Sequence, residues 1–131
     1  MTALPDIFGL WDLHGTTLAP DGTTLYEWDA DMEIAAGEGA PRVIISTRGG
    51  ASGGRNSRSL SFAEKLTALP DGGWHLRYGY EADPEHEATA AHEFFGLSQI
   101  TFSSDRASAA GSSCNYNGRY VVMKLHARRR S

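Results

Sequence analysis

Cysteine is nearly absent. Cys114 stands alone, so no disulfide can form within the chain, and a reducing compartment is its natural setting. No apolar run approaches the roughly 20 residues a membrane helix needs. The N-terminus shows no signal-peptide pattern, and there is no Asn-x-Ser/Thr acceptor, so the expected location is the cytoplasm. An excess of positive charge is missing too. The 12 Lys and Arg face 16 Asp and Glu, a formal net charge of −4, which argues against a broad surface for duplex nucleic acid. A small anionic ligand is still allowed, because one pocket needs only a few local Arg donors. No acidic residue follows Asp105, while Arg106, Arg119, Lys124, Arg128, Arg129 and Arg130 do, so the C-terminal end is the basic end. Helical periodicity is also lacking; only residues 84–93, rich in Glu and Ala, suggest a helical turn.

Period-two alternation is abundant instead. With 131 residues the chain is expected to form one domain, 1–131, with flexible ends at 1–6 and 127–131. Ile7–Thr17 alternates, placing Ile7, Gly9, Trp11 and Leu13 on one side. Thr23–Ala36 sets Tyr26, Trp28, Ala30, Met32 and Ile34 against Leu25, Glu27, Asp29, Asp31 and Glu33, an inward and a watered face. Arg42–Arg48 is short and β-branched. Further strands are expected at Ser57–Leu69, Trp74–Glu81, Thr89–Phe102 with a bulge at Gly96, Arg106–Tyr116 and Arg119–His126. Turn chemistry separates them: Pro20-Asp-Gly22, Gly37 to Pro41, Pro70-Asp-Gly-Gly73 and Asn117-Gly118. Mostly hairpin-linked strands imply a sandwich or an antiparallel up-and-down barrel. A barrel would remove the sheet edges, and an eight-stranded one has room for one small ligand.

The stretch from Asn56 to Gly96 organises the functional reading. Leu60, Phe62 and Leu66 fall on one face of their segment, and Ser57, Ser59 and Ser61 on the other. With Arg58, Tyr78, Tyr80, Asn115, Asn117 and Arg119 these hydroxyls form a set suited to phosphate, sugar and base. Arg offers a planar fork of donors, and Tyr a face for stacking. The same spacing also describes a solvated strand face with Tyr78 and Tyr80 in the core. Gly49 to Gly54 mimics a phosphate loop, but Arg55-Asn56 follows where Lys-Ser/Thr belongs, so a plain loop is expected. Glu85-His86-Glu87 and His92-Glu93 lack metal-site spacing, and no metal or other cofactor is expected. Cys114 lies near Asn115 without a nucleophile signature, so it reads as a small buried residue and no catalytic residue is assigned.

The order of motifs is then distinctive: Gly9-x-Trp11, Ser57-Arg58-Ser59, Leu76-x-Tyr78-x-Tyr80, the Pro84 loop, His92-Glu93-x-x-Gly96, Gly111 and Asn115-Tyr-Asn117-Gly-Arg119 ahead of Val122-Met-Lys-Leu125. Over about Ile7–Leu125 the chain resembles the β-barrel sensor domain of the two-transmembrane, β-strand-rich effectors of bacterial CBASS anti-phage defence. The resemblance implies an all-β fold, an eight-stranded antiparallel up-and-down, lipocalin-like barrel that binds a cyclic di- or oligonucleotide inside it. In full-length members, binding drives assembly of attached membrane helices and loss of inner-membrane integrity. It further implies Trp11 and Tyr80 as base-stacking or wall residues, Arg58, Ser59 and Arg119 on phosphate, and Thr47 and Asn117 in support. Ser57, Tyr78 and His92 complete the expected ligand-binding set. The His92 stretch is two residues longer than the family's His-x-Gly. The membrane helices are absent from this sequence, so a piece of a longer chain, a free-standing sensor or a soluble homologue with another output is expected.

The expected function is therefore a non-enzymatic receptor for a cyclic dinucleotide or cyclic oligonucleotide, with a second copy of the chain as a further partner. Duplex nucleic acid is not an expected partner, and the membrane is one only through helices outside this sequence. The alternatives are a lipocalin-like carrier of an apolar small molecule and an enzyme that cleaves cyclic nucleotides.

Overall fold

The computed structural model describes residues 6–48, 57–83, 94–116 and 120–130. These residues form eight strands: β1 Gly9–Leu18, β2 Thr24–Ala35, β3 Arg42–Thr47, β4 Arg58–Ala68, β5 Trp74–Ala82, β6 Phe95–Phe102, β7 Ser108–Tyr116 and β8 Tyr120–Arg129. Neighbours in sequence pair antiparallel, and β8 returns to β1, closing the expected barrel. Closure removes the sheet edges that a sandwich would have to protect. Among the described residues, no helix is long and apolar enough to cross a membrane.

Alternation sets the core. Trp11 and Leu13 on β1, Ala30, Met32 and Ile34 on β2, Val43 on β3, Leu76 on β5, Ile100 and Phe102 on β6 and Leu125 on β8 are almost wholly buried. Gly15 has a steric role here: a Cβ there would fall 2.0 Å from the indole of Trp28, so the glycine makes the slot for that ring.

Five local features differ from the reading of the sequence. The bulge expected at Gly96 is absent, since β5 and β6 stay in register from Trp74–Phe102 to Glu81–Phe95. A register shift lies between Ser61 and Ala63 instead. Phe62 and Ala63 are both exposed, so Phe62 and Leu66 do not share a face, and the Ser face of β4 is the inner one. The expected split into a core face at Leu60 and Phe62 and a polar face elsewhere is thus inverted, because closure turns Ser59 and Ser61 inward. The proposed strand start at Thr89 and the helical turn at 84–93 lie outside the described residues. Cys114 is exposed rather than buried, because β7 turns Ser113 and Asn115 inward on either side of it.

Finally, β8 runs on to Arg129 rather than stopping at His126. Arg129 supplies the reason. Its guanidinium lies 4.7 Å from the centre of the Trp11 ring. It donates to the carbonyls of Arg106 at 2.9 Å, Phe8 at 2.9 Å and Asp6. Trp11 in turn meets the edge of Phe102 at 5.0 Å and donates its indole N–H to the Ile7 carbonyl at 2.9 Å. One arginine thereby ties the segment before β1 to the turn before β7 and floors one end of the barrel.

Outside, β1 and β2 carry an ionic surface. Asp12 and Asp31 share Arg130 and Arg48, and the hydrogen bond from Arg130 holds the Asp12 carboxyl below its ordinary range. His14 sits between Asp29 and Glu27, 2.9 Å from each, and the hydrogen bond to Asp29, then that to Glu27, raises its pKa.

Two tests follow from these contacts. Arg129→Ala removes the three-carbonyl tie and the ring contact, and urea unfolding should show a loss of about 1–3 kcal/mol; an unchanged midpoint would refute the tie. Protonated His14 is held more tightly by the folded chain, so its contribution is full below its unfolded value of 6.5 and fades as pH rises through its raised folded value. His14→Gln should accordingly narrow the stability gap between pH 5.5 and pH 8 relative to wild type, and identical pH profiles would contradict the contact.

Candidate functional site

Hairpin register writes the inner wall in rows. One row runs Glu64, Tyr78, Ser98, Ser113, Met123 and Thr17 across β4, β5, β6, β7, β8 and β1. The next runs Ser61, Tyr80, Gly96, Asn115 and Val121. On the floor side of these polar rows lie Leu66, Leu76, Ile100, Gly111, Leu125 and Gly15, then Ala68, Trp74, Phe102, Ala109, Ala127 and Leu13. The interior is therefore apolar at the Trp11 end and hydroxyl-rich at the end where β5 and β7 finish and β6 and β8 start.

The polar rows are bonded to one another. The Tyr80 hydroxyl and Ser113 Oγ are 2.7 Å apart, Ser98 Oγ donates to Ser113 Oγ at 3.0 Å, and Asn115 Nδ2 donates to the Tyr80 hydroxyl at 3.1 Å. Burial pushes up the pKa of both Tyr78 and Tyr80, opposed at Tyr80 by its Ser113 and Asn115 bonds. Both phenols are thus neutral hydrogen-bonding groups and unsuited to act as bases near neutral pH. Tyr78 has Ser98 beside it, yet among the described residues its buried hydroxyl has no well-aligned hydrogen-bond partner. The Tyr78 and Tyr80 rings lie 6.0 Å apart, and Phe94 meets Tyr80 edge-on at 6.4 Å. Gly96 makes room for this arrangement, since a Cβ there would stand 2.5 Å from the Tyr80 hydroxyl and 2.3 Å from the Cys114 carbonyl.

Of the residues named from the sequence, Ser59, Tyr78 and Tyr80 share this inner wall and are buried. Arg58 alternates with Ser59 and so leaves β4 outward; its Nε lies 3.2 Å from the Asp83 carboxylate at the rim. Thr47 and Ser57 face each other at the β3–β4 junction, where their hydroxyls are 2.8 Å apart and the Ser57 N–H donates to Thr47 Oγ1 at 2.7 Å. Trp11 lies at the floor, away from the polar rows, with Phe102 and Arg129 on its ring. His92, Asn117 and Arg119 lie outside the described residues, as do Glu85, His86, Glu87 and Glu93. Reading the sequence missed Ser98, Ser113 and Glu64. Ser98 could have been found, since it alternates with Ile100 and Phe102; Ser113 joins it only through the β6–β7 register.

A closed eight-stranded barrel, apolar at its floor and hydroxyl-lined above, defines a lipocalin-like binder of small molecules. Residues 2–129 match the family model described as Cap15, cyclic dinucleotide receptor domain, and the chain belongs to that family. It is a cyclic dinucleotide receptor domain, in keeping with a second-messenger receptor of CBASS defence. No curated protein matches it.

Gly96→Ala should cost about 1–3 kcal/mol in thermal unfolding, because the Cys114 carbonyl is paired strand backbone and the Tyr80 ring is tethered through its hydroxyl to Ser113 and Asn115. It should also alter the tyrosine near-ultraviolet circular dichroism. A variant with wild-type stability and spectrum would show that the Tyr80 position does not depend on the missing Cβ.

Proposed function

We propose that the cyclic dinucleotide is held at the hydroxyl-rich end of the single barrel domain. Tyr78 and Tyr80 wall the bases, and Ser57, Ser59 and Thr47 bond sugar or phosphate at the β4 side. Arg58, reaching over the rim from outside, and Arg119 take the phosphates, Asn117 and His92 complete the site, and Trp11 walls the far, apolar end of the lumen below it. The observation that carries the reading is the pair of polar rows inside a barrel of a cyclic dinucleotide receptor family. Hydroxyls and amides both donate and accept, so they suit a ligand whose edges alternate donors and acceptors. Arg58 is already near Asp83, so a phosphodiester and that carboxylate, each singly charged, share or compete for the fork of guanidinium donors.

The protein in this reading senses without turning the ligand over. Occupancy is coupled to self-association or to an effector, and any membrane anchoring comes from helices outside this sequence. The apolar-carrier alternative draws less support, because Trp11 and Phe102 fill the apolar end against each other.

Calorimetry against a panel of cyclic dinucleotides tests the proposal. Wild type should bind at least one member, and Arg58→Ala and Arg119→Ala should each weaken it about tenfold, or about 1.4 kcal/mol. Sedimentation with and without that member reads self-association, and chromatography after long incubation should return it intact. Absence of binding across the panel, with a lipid co-purifying in native mass spectrometry, would favour the carrier.

A further inference from the structure

Glu64 is an inner-wall carboxylate that the proposed site leaves unused. It faces inward only because the chain bulges: Phe62 and Ala63 both turn to solvent, which places Glu64 in the row of Tyr78. Without that extra residue, Ala63 would face inward and Glu64 would face water. Turning a carboxylate inward is costly unless donors meet it. Among the described residues Glu64 accepts one side-chain hydrogen bond, from Ser61 Oγ at 2.5 Å, whereas a carboxylate has acceptor sites for about four. Opposite it in the strand register stands Tyr78, whose buried hydroxyl lies near Ser98 and has no well-aligned partner among the described residues. An acceptor with capacity to spare and a hydroxyl without a well-aligned partner are therefore carried at facing positions of one row.

We infer that Glu64 reads a base of the ligand and that this base is guanine. The inference rests on the receptor reading above. Like charges repel, so the phosphates of the ring keep away from Glu64, and the neighbouring group must be one that donates. Among the bases, guanine alone offers two parallel donors, N1–H and the N2 amine, matched to the two oxygens of one carboxylate. Adenine and cytosine each set one amine beside a ring nitrogen that accepts, and uracil sets one N–H between two carbonyls. Tyr78 then has the guanine O6 or a sugar oxygen to bond. A bidentate pair of this kind discriminates between bases by about 5- to 150-fold.

The test compares cyclic di-GMP, cyclic di-AMP and cyclic di-IMP by calorimetry, since inosine is guanosine without the N2 amine. Wild type should bind the guanine ring at least tenfold more tightly than the inosine ring, and more tightly again than the adenine ring. Glu64→Gln should weaken the guanine complex about tenfold and leave the adenine complex unchanged or stronger. Equal wild-type affinity for the guanine and inosine rings overturns the inference, as does a Gln variant that keeps the guanine preference. The guanine–inosine comparison decides alone if that variant does not fold. Wild-type binding with no preference for guanine removes this inference only, whereas failure to bind any cyclic dinucleotide removes the receptor reading and this inference with it.

Discussion

Cross-strand pairing from β4 to β8 holds like residues at like heights, and the two-ended interior depends on it. Each strand contributes one side chain per rung, and the hairpins fix which rung each enters. On β5 the inward series is Trp74, Leu76, Tyr78 and Tyr80, a change from hydrocarbon to hydroxyl within one strand. On β6 it is Phe102, Ile100 and Ser98, read in the opposite direction. Antiparallel pairing aligns these two gradients rather than crossing them. A slip of one residue would turn Tyr78 and Tyr80 to water and bring Arg77 and Glu81 inward. The floor and the polar end are therefore consequences of one alignment.

The fold was largely legible because its signals are local. Alternation in β2 and the Pro-Asp-Gly-Gly turn before β5 each follow from a few neighbouring residues. The candidate site was less legible because it is a product of register. Ser98 and Ser113 are neighbours only once β6 and β7 pair. The shift after Ser61 was hidden for a different reason. The run Ser-Leu-Ser-Phe-Ala-Glu-Lys-Leu contains neither Gly nor Pro, and its first residues alternate well enough to suggest an unbroken strand. Gly96 carried the opposite false signal, since it exists for clearance from a tyrosine rather than for a bend.

The basic C-terminus was misread through composition. A run of three arginines looks like a solvated tail, yet Arg129 faces inward at the floor with Trp11 beneath it. The planar guanidinium suits this place because it stacks on an aromatic ring while donating in its own plane to several carbonyls. It also joins the two ends of the chain, so the floor is complete only after β8 has found β1. Such distant pairing is costly in loop entropy and tends to make barrels slow to fold.

The junction of β3 and β4 gives the serines a second duty. Among the described residues the ladder between these strands runs through Ile44–Leu60, Ile45–Ser59 and Ser46–Arg58, and the Thr47 amide adds a bond to the Ser57 carbonyl at 2.8 Å. Beyond that ladder, Ser61 Oγ accepts the Val43 amide at 2.8 Å on one side, and Thr47 Oγ1 accepts the Ser57 amide on the other. Side-chain oxygens thus add stitches at both ends of a short main-chain ladder. A methyl group at position 61 would strand a buried amide as well as strip the lumen, so the mutational tolerance of these hydroxyls is set by tailoring of the wall as much as by anything held within it.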